Sequence, residues 1–452
     1  MEIKLSLQGA YSLSITKRLF GLFFLMLAAF GSIAEGVDEE INKKIRDIEK
    51  KNNVIIGLSA VHIEKNEVIS HNSQTPFFMA STIKLPIAVA FLQRVDEKKD
   101  SLNRRVVLDT NNSVPGSGTL YHLFEKKRLT ISLKQVLNYM MKNSDNSASD
   151  TILHEVQGPV YVTKRMLALG FKNIYVNRSI LEMLLDTNHI SHEYLKDRQP
   201  VFSLEKKFNS TPLPIKTMAW ERFQNDIRDT TTPDEMARLL VKIHNKEALS
   251  AESTSVLLDI MEKCRSGRSR IKGLLPANVK VAHKTGTWAI GEQNYLRYPG
   301  SKNLYRFASD VGIITLPQNK GHIALAVYVK SKDASDYRRA RSIALISRAI
   351  YDHYVPQSVV THYKAKSIVQ KKPQVARKSL VHNRKTVAVR KKPEAHKAVL
   401  AQKKPILHKQ VSAKKKPIIH KQVSSKKKPI IHKKVISIKK AMPKKKVIAQ
   451  SN

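Results

Sequence analysis

A chain of 452 residues has room for one large domain or two ordinary ones, and its single cysteine, Cys264, excludes an intrachain disulfide. Lys and Arg number 80 against 37 acids, a net charge of +43. That charge is unevenly placed: 29 of the basic residues and one acid, Glu394, fall in residues 355–452, so the body before them is only moderately basic.

At the start of the chain, Lys17 and Arg18 precede an apolar run from Leu19 to Phe30, with small residues at Ser32 and Ala34. These are the parts of a secretory signal, so residues 1–34 are expected to be a signal peptide and the protein exported, periplasmic or secreted. An uncleaved anchor is the alternative, but the run is short for a bilayer, and no transmembrane segment is expected after cleavage. Val54–Val61 and Val68–His71 then predict an opening hairpin. Ser132 and Gln135 form a capping-box pair ahead of Leu133, Val136, Leu137, Met140 and Met141, which share one helical face. Thr232, Pro233 and Glu235 give a second helix start before Met236, Leu239, Leu240 and Ile243. Val311–Leu316 and Ile323–Val329 read as strands, and a last helix is expected from about Ala334 to Tyr354. Strands at both ends with helices between predict an α+β fold over residues 35–354. In it an antiparallel sheet is flanked by helices and joined by a helical subdomain, and the two end segments pair in space.

Beyond Tyr354 the pattern changes to K-K-P-I-L-H-K-Q-V-S and two near copies, with prolines at 405, 417 and 429. Proline in every unit and dense like charge oppose a packed core, so residues 355–452 are expected to be a disordered, low-complexity tail. Such a tail suits an anionic envelope surface. Nonspecific nucleic-acid binding is the lesser alternative given the signal peptide, and a solvated extension with no partner is the bland one. Its histidines at 396, 408, 420 and 432 are too widely spaced for one compact metal site, and no metal or cofactor is assigned to the chain.

Three short motifs carry chemistry. Ser81-Thr82-Ile83-Lys84 opens an apolar helix, where positions i and i+3 share a face and the Lys84 amine can sit beside the Ser81 hydroxyl. A serine needs a neighbouring base to become a nucleophile, and a desolvated lysine among other cations can serve. Ser144-Asp145-Asn146 follows the Met140/Met141 helix on a loop. Its hydroxyl can relay a proton and its amide can hold a substrate amide, while Asp145 is expected to fix the loop through backbone hydrogen bonds. Lys284-Thr285-Gly286, on a strand before Thr287 and Trp288, offers a cation and a hydroxyl to a carboxylate. The glycine lets a substrate lie against the strand, whose N–H groups can join that of Ser81 around an oxyanion. Each motif alone is weak and is most often surface; the three in this order are a strong signal.

With F-F-M-A-S-T-I-K at 77–84, P-G-S-G-T-L at 115–120, R-D-T-T-T-P at 228–233, A-H-K-T-G at 282–286 and D-V-G-I-I at 310–314, residues 54–354 resemble the class A β-lactamase and penicillin-binding-protein superfamily. The resemblance implies that Ser81 is acylated, that Lys84 and Ser144 shuttle protons, and that Asn146, Lys284, Thr285, Gly286 and Thr287 bind substrate, with Lys284 and Thr285 on its acid group. Arg178 and Asp229 match a pair that closes the base of an Ω-shaped loop in the family, but here the segment between them is far longer than in typical members. Glu182, in E-M-L-L-D, resembles the glutamate that activates the deacylating water, although an ungapped match from Arg178 puts Ile180 in its place. The bland reading of Glu182 is a solvated residue on a short helix, and Glu221 is a weaker candidate. The expected function is β-lactam hydrolysis through a Ser81 acyl-enzyme. A D-Ala-D-Ala peptidase acting on peptidoglycan stem peptides is the alternative, and an envelope-binding protein with a vestigial catalytic domain is a rival of another class. Cys264 reads as incidental.

Overall fold

The computed structural model describes residues 39–124, 126–196, 201–289 and 299–355; the expected signal segment and, apart from Val355, the repeat tail lie outside these. Strands β1 (Ile55–His62), β2 (Glu67–His71), β7 (Val281–Trp288), β8 (Arg306–Thr315) and β9 (His322–Ser331) form one sheet in the order β2-β1-β9-β8-β7. Its pairings are all antiparallel, and β1 lies against β9 from Ile55 opposite Lys330 to His62 opposite Ile323. The first and last strands of the body are therefore neighbours, the pairing expected from the sequence.

Both faces of the sheet are covered, which is why β8 and β9 are buried along nearly their whole length. Alternate side chains of β9 serve two cores. Leu325, Val327 and Val329 meet Ile343, Ile346 and Ile350 of α12 (Asp336–Tyr354) and Ile41 and Ile45 of α1, a helix over 39–52. Ala324, Ala326 and Tyr328 point the other way, into a core built around α2 (Lys84–Asp96). Small alanines there let α10 (Pro233–His244) pack close to the strand. Helix α2 is buried from Lys84 to Gln93, as an all-round apolar sequence requires.

The rest of the helical part comprises α3 (Tyr121–Phe124), α4 (Leu133–Lys142), α5 (Asn146–Glu155), α6 (Pro159–Ala168) and α11 (Ala251–Glu262). The Ser132–Gln135 capping box closes reciprocally at the start of α4, and Thr232 caps α10 with Pro233 in its first turn. Two short ribbons, β3 (Phe77–Phe78) with β6 (Thr230–Thr231) and β4 (Arg105–Leu108) with β5 (Leu129–Ser132), complete the fold. The long segment between Arg178 and Asp229 is helical: α7 (Ile180–Thr187), α8 (Val201–Ser210) and α9 (Leu213–Gln224). Aromatic rings fasten α9 to the sheet. Phe223 stacks on Trp288 at 5.6 Å and meets Phe78 edge-on at 4.8 Å, and Trp220 Nε1 donates to the Tyr305 carbonyl at 3.0 Å.

Candidate active site

Ser81 stands in a tight 3-10 turn, Ala80–Ile83, that leads directly into α2. Ala80 is forced to φ 47, a left-handed conformation that costs a non-glycine residue roughly 1–2 kcal/mol, so the turn is held in place by what packs around it. From one side, Met79 N donates to the Asp229 carbonyl at 3.0 Å. From another, Gly286 of β7 lies so close that a Cβ there would stand 2.7 Å from the Met79 carbonyl and 3.2 Å from Ser81 N. Only glycine permits that approach. It places an outer strand of the sheet and the N-terminal end of α2 on either side of the Ser81 amide, a setting in which backbone N–H groups and the helix dipole favour negative charge.

Lys84 lies beneath the nucleophile candidate, fully buried at the first position of α2. Its amine donates to the Ser144 carbonyl at 2.5 Å, to Asn146 Oδ1 at 2.9 Å and to Ser144 Oγ at 3.3 Å. Among the described residues no hydrogen bond joins it to the Ser81 hydroxyl. Lys284 reaches the same Ser144 Oγ from β7 at 2.9 Å, so that hydroxyl lies between two buried amines. Burial first, then the neighbouring Lys284 charge, hold the Lys84 amine well below the usual lysine range. Burial pulls Lys284 down to about 8. A chain of groups that can accept and return protons thus runs from beneath Ser81 to Lys284.

Ser144 sits in the loop before α5 with φ 57, while Asp145 is the N-cap of α5 and Asn146 its first residue, so the triplet is a loop-to-helix joint rather than a plain loop. Asp145 accepts from Thr119 N and Leu120 N, both at 2.8 Å, and from Ala148 N at 2.9 Å. It thereby fixes the 115–120 stretch, whose Gly116 and Ser117 face Ser81 across the cleft. Asn146 Nδ2 donates to the Pro115 carbonyl, so in this arrangement both ends of its amide have protein partners.

Arg270 has no motif around it in the sequence, yet it organises the far end of the site. It donates to the Gly286 carbonyl at 2.7 Å, the Ser309 carbonyl at 2.9 Å and Thr287 Oγ1. Thr285 Oγ1 bonds Ser266 Oγ at 2.6 Å, and Ser266 Oγ lies 3.3 Å from Cys264 Sγ, so the cysteine backs Thr285 of β7 at one remove. Arg270, Ser266 and Cys264 precede the K-T-G triplet in the chain without any periodic signal, and only the folded chain brings them together.

The cleft holding Ser81 has a volume of about 310 Å³. Its opposite wall comes from the long helical segment: Leu184, Thr187 and Asn188 of the α7 end, and Lys216 and Trp220 of α9. Burial lowers the Lys216 amine from its ordinary range. At the base of this segment Arg178 Nε donates to Asp229 Oδ2 at 2.6 Å, and its Nη1 lies 2.7 Å from Asp186 Oδ2 and 3.3 Å from Asp226 Oδ2. A second cavity of about 490 Å³ opens behind these charges and contains none of the three motifs.

Glu182 is not among the residues that line the cleft holding Ser81. Its carboxylate accepts from Ser179 N at 2.7 Å and closes a capping box at the start of α7, where Asp150 also accepts from Ile180 N and Leu181 N. Ile180, the residue in the alternative register, is buried. Glu221 is exposed on α9. Among the described residues that line the cleft there is no carboxylate.

The Beta-lactamase2 family model, described as the β-lactamase enzyme family, matches residues 40–354. The chain is 26% identical over 348 residues to β-lactamase VEB-1 of Pseudomonas aeruginosa, covering 76% of this chain and 99% of that protein. It is 25% identical over 336 residues to a β-lactamase of Bacteroides uniformis, covering 73% and 98%. Among solved structures, the TLA-1 extended-spectrum β-lactamase superposes with a TM-score of 0.56 at 25% identity over 70% of this chain and 98% of that one. A β-lactamase from Chitinophaga pinensis DSM 2588, at 24% identity and a TM-score of 0.55, shares the fold. With a match that spans the described body from its first helix to its last, the chain belongs to the β-lactamase enzyme family.

Proposed function

We propose that this protein is an exported serine hydrolase that opens β-lactams through an acyl-enzyme on Ser81. The observation that carries the reading is the buried pair of amines around Ser144 Oγ, placed under a strained Ser81 turn at the floor of the cleft. The Ser81 oxygen attacks the lactam carbonyl carbon as its proton passes to Lys84. The ring C–N bond breaks, and the proton reaches the leaving nitrogen through Ser144. The Ser81 and strand N–H groups hold the developing oxyanion, and Lys284 with Thr285 binds the substrate's acid group. Water then cleaves the ester and releases Ser81.

The capping role of Glu182 favours slow completion of that last step. An enzyme that acylates quickly and deacylates slowly behaves toward penicillins as a D-Ala-D-Ala peptidase does, and a stem peptide fits the same groups. The basic tail read from the sequence supports a place at an anionic envelope surface in either case.

The test is mass spectrometry of the purified full chain mixed with a penicillin and sampled from seconds to hours, beside Ser81→Ala. A Ser81-dependent adduct that decays as product accumulates supports a β-lactamase, whereas one that persists for hours supports a penicillin-binding peptidase. No adduct on the wild-type protein overturns the acyl-transfer reading and leaves the envelope-binding rival.

A further inference from the structure

On the turns at the other end of β1 and β9, three side chains from distant parts of the chain converge. Glu64 stands in the β1–β2 turn, His244 is the last residue of α10, and His322 opens β9. One donor atom of each lies within 4.8 Å of the others, and among the described residues this is the one such cluster of His, Cys, Asp or Glu. Tyr328, which bonds Thr82 in the Ser81 turn, is six residues further along β9, so the cluster lies roughly 20 Å from the cleft at about 3.3 Å per residue.

The cluster is built rather than incidental. The Glu64 carboxylate is clamped by His322, whose backbone N–H donates to Oε2 at 2.7 Å while Nδ1 lies 2.6 Å from Oε1. Gly321, at φ +97, makes room for it, since a Cβ there would stand 2.2 Å from Glu64 Oε2. Behind it the fully buried His62 ring is committed to the scaffold: Nε2 bonds the Lys320 carbonyl at 2.9 Å and Nδ1 accepts from Lys65 N at 3.4 Å. His244 faces His322 ring to ring, with centroids 4.4 Å apart and planes at 47°, and its nitrogens have no hydrogen-bond partner among the described residues. Two imidazoles side by side beside a fixed carboxylate are poorly arranged for hydrogen bonding to one another and well arranged for sharing an ion.

We propose that Glu64, His244 and His322 form a binding site for a divalent transition-metal ion of the zinc type. Two imidazole nitrogens and one carboxylate oxygen are a donor set that suits Zn²⁺, and a set of three leaves a fourth tetrahedral position to water. Ligands at about 2.0–2.2 Å from a tetrahedral ion lie roughly 3.3 Å apart, so side-chain rotation alone closes the cluster around it. The ion would join the β1–β2 turn, the β8–β9 turn and the end of α10. In a chain whose one cysteine is free, this provides a cross-link that no disulfide supplies. The tail histidines are spread along the sequence, whereas this set is assembled by the fold.

Thermal unfolding of the full chain with and without micromolar Zn²⁺, beside Mg²⁺, tests the site without reference to β-lactam chemistry. Zn²⁺ but not Mg²⁺ is expected to raise the midpoint by several degrees, and Co²⁺ in its place to give visible absorption of tetrahedral intensity. His244→Gln, at a partly exposed helix end where folding is preserved, is expected to weaken Zn²⁺ at least ten-fold, and His322→Ala to do the same. A chain with His408, His420 and His432 replaced by Ala is expected to keep the full shift. The proposal is overturned if wild type shows no Zn²⁺-dependent shift, or if His244→Gln and His322→Ala shift as wild type does.

Discussion

Lys284 and Lys84 are buried without a carboxylate in direct contact, and their amines bond only hydroxyl, carbonyl and amide oxygens. The two are therefore set for different tasks. Burial holds Lys84 well below the usual lysine range, which under the proposed mechanism suits it to accept a proton, whereas Lys284, lowered to about 8, would keep its charge at neutral pH for an acidic substrate group. Under the proposed mechanism the protonated form of Lys284 is the useful one, so kcat/KM for acylation by a penicillin is expected to fall above about pH 8 and to be about ten-fold lower one unit beyond the inflection. A profile measured from pH 6 to 10 checks this, and Lys284→Ala should lose that limb. A second expectation concerns Glu182. Its carboxylate serves the α7 cap, so Glu182→Gln is expected to leave the adduct lifetime within about two-fold of wild type and to cost at most about 1 kcal/mol in urea unfolding. The K-T-G triplet points to Lys284 by its own chemistry and the family resemblance alone points to Glu182, and the difference between them is physical. A K-T-G triplet on a strand dictates where its lysine points, whereas the direction of a glutamate near a helix start depends on which backbone N–H groups need a partner.

Among the elements, α9 matters most to the shape of the site. Phe223 touches Phe78, Trp220 and Trp288, and the Arg178 guanidinium lies 5.0 Å over its ring. Phe223→Ala is expected to destabilise the protein by about 3–5 kcal/mol and to raise KM for acylation more than it lowers kcat, measured by urea unfolding and steady-state kinetics on the same samples. The regular elements were legible because local rules governed them: the Ser132–Gln135 box, the Thr232–Pro233 start and the apolar run of β9 appear where the sequence puts them. Strand β8 begins at Arg306, earlier than its apolar run, because Arg306 is buried against the Leu304 and Lys332 carbonyls and the polar start gave no strand signal. Helices α7 to α9 were not legible as a cleft wall, since their placement rests on aromatic contacts with Phe78 and Trp288, far away in sequence. Arg270 was not legible either, since its partners on Gly286, Thr287 and Ser309 lie further along the chain and no motif marks Arg270 itself.

At the scale of the whole body, the sheet is complete only when β9 meets β1, and the core behind it is shared by α1 and α12. Removing everything from Asp336 onward would bare the Leu325, Val327 and Val329 face, so that truncation is expected to yield a chain without a cooperative thermal transition and with strong dye binding to exposed apolar surface. The pairing of distant segments was readable from sequence as a requirement, because two half-buried strand groups need each other, but the strand order was not. The reactive groups and the cleft wall come from different parts of this body. Ser81, Lys84, Ser144 and Lys284 belong to the seam between α2, α5 and β7, whereas Lys216 and Trp220 belong to the helices between Arg178 and Asp229. Under the proposed function, inherited changes in those helices would alter which acyl donors are admitted while the bond-breaking groups stay as they are, giving selection two separate handles on one protein.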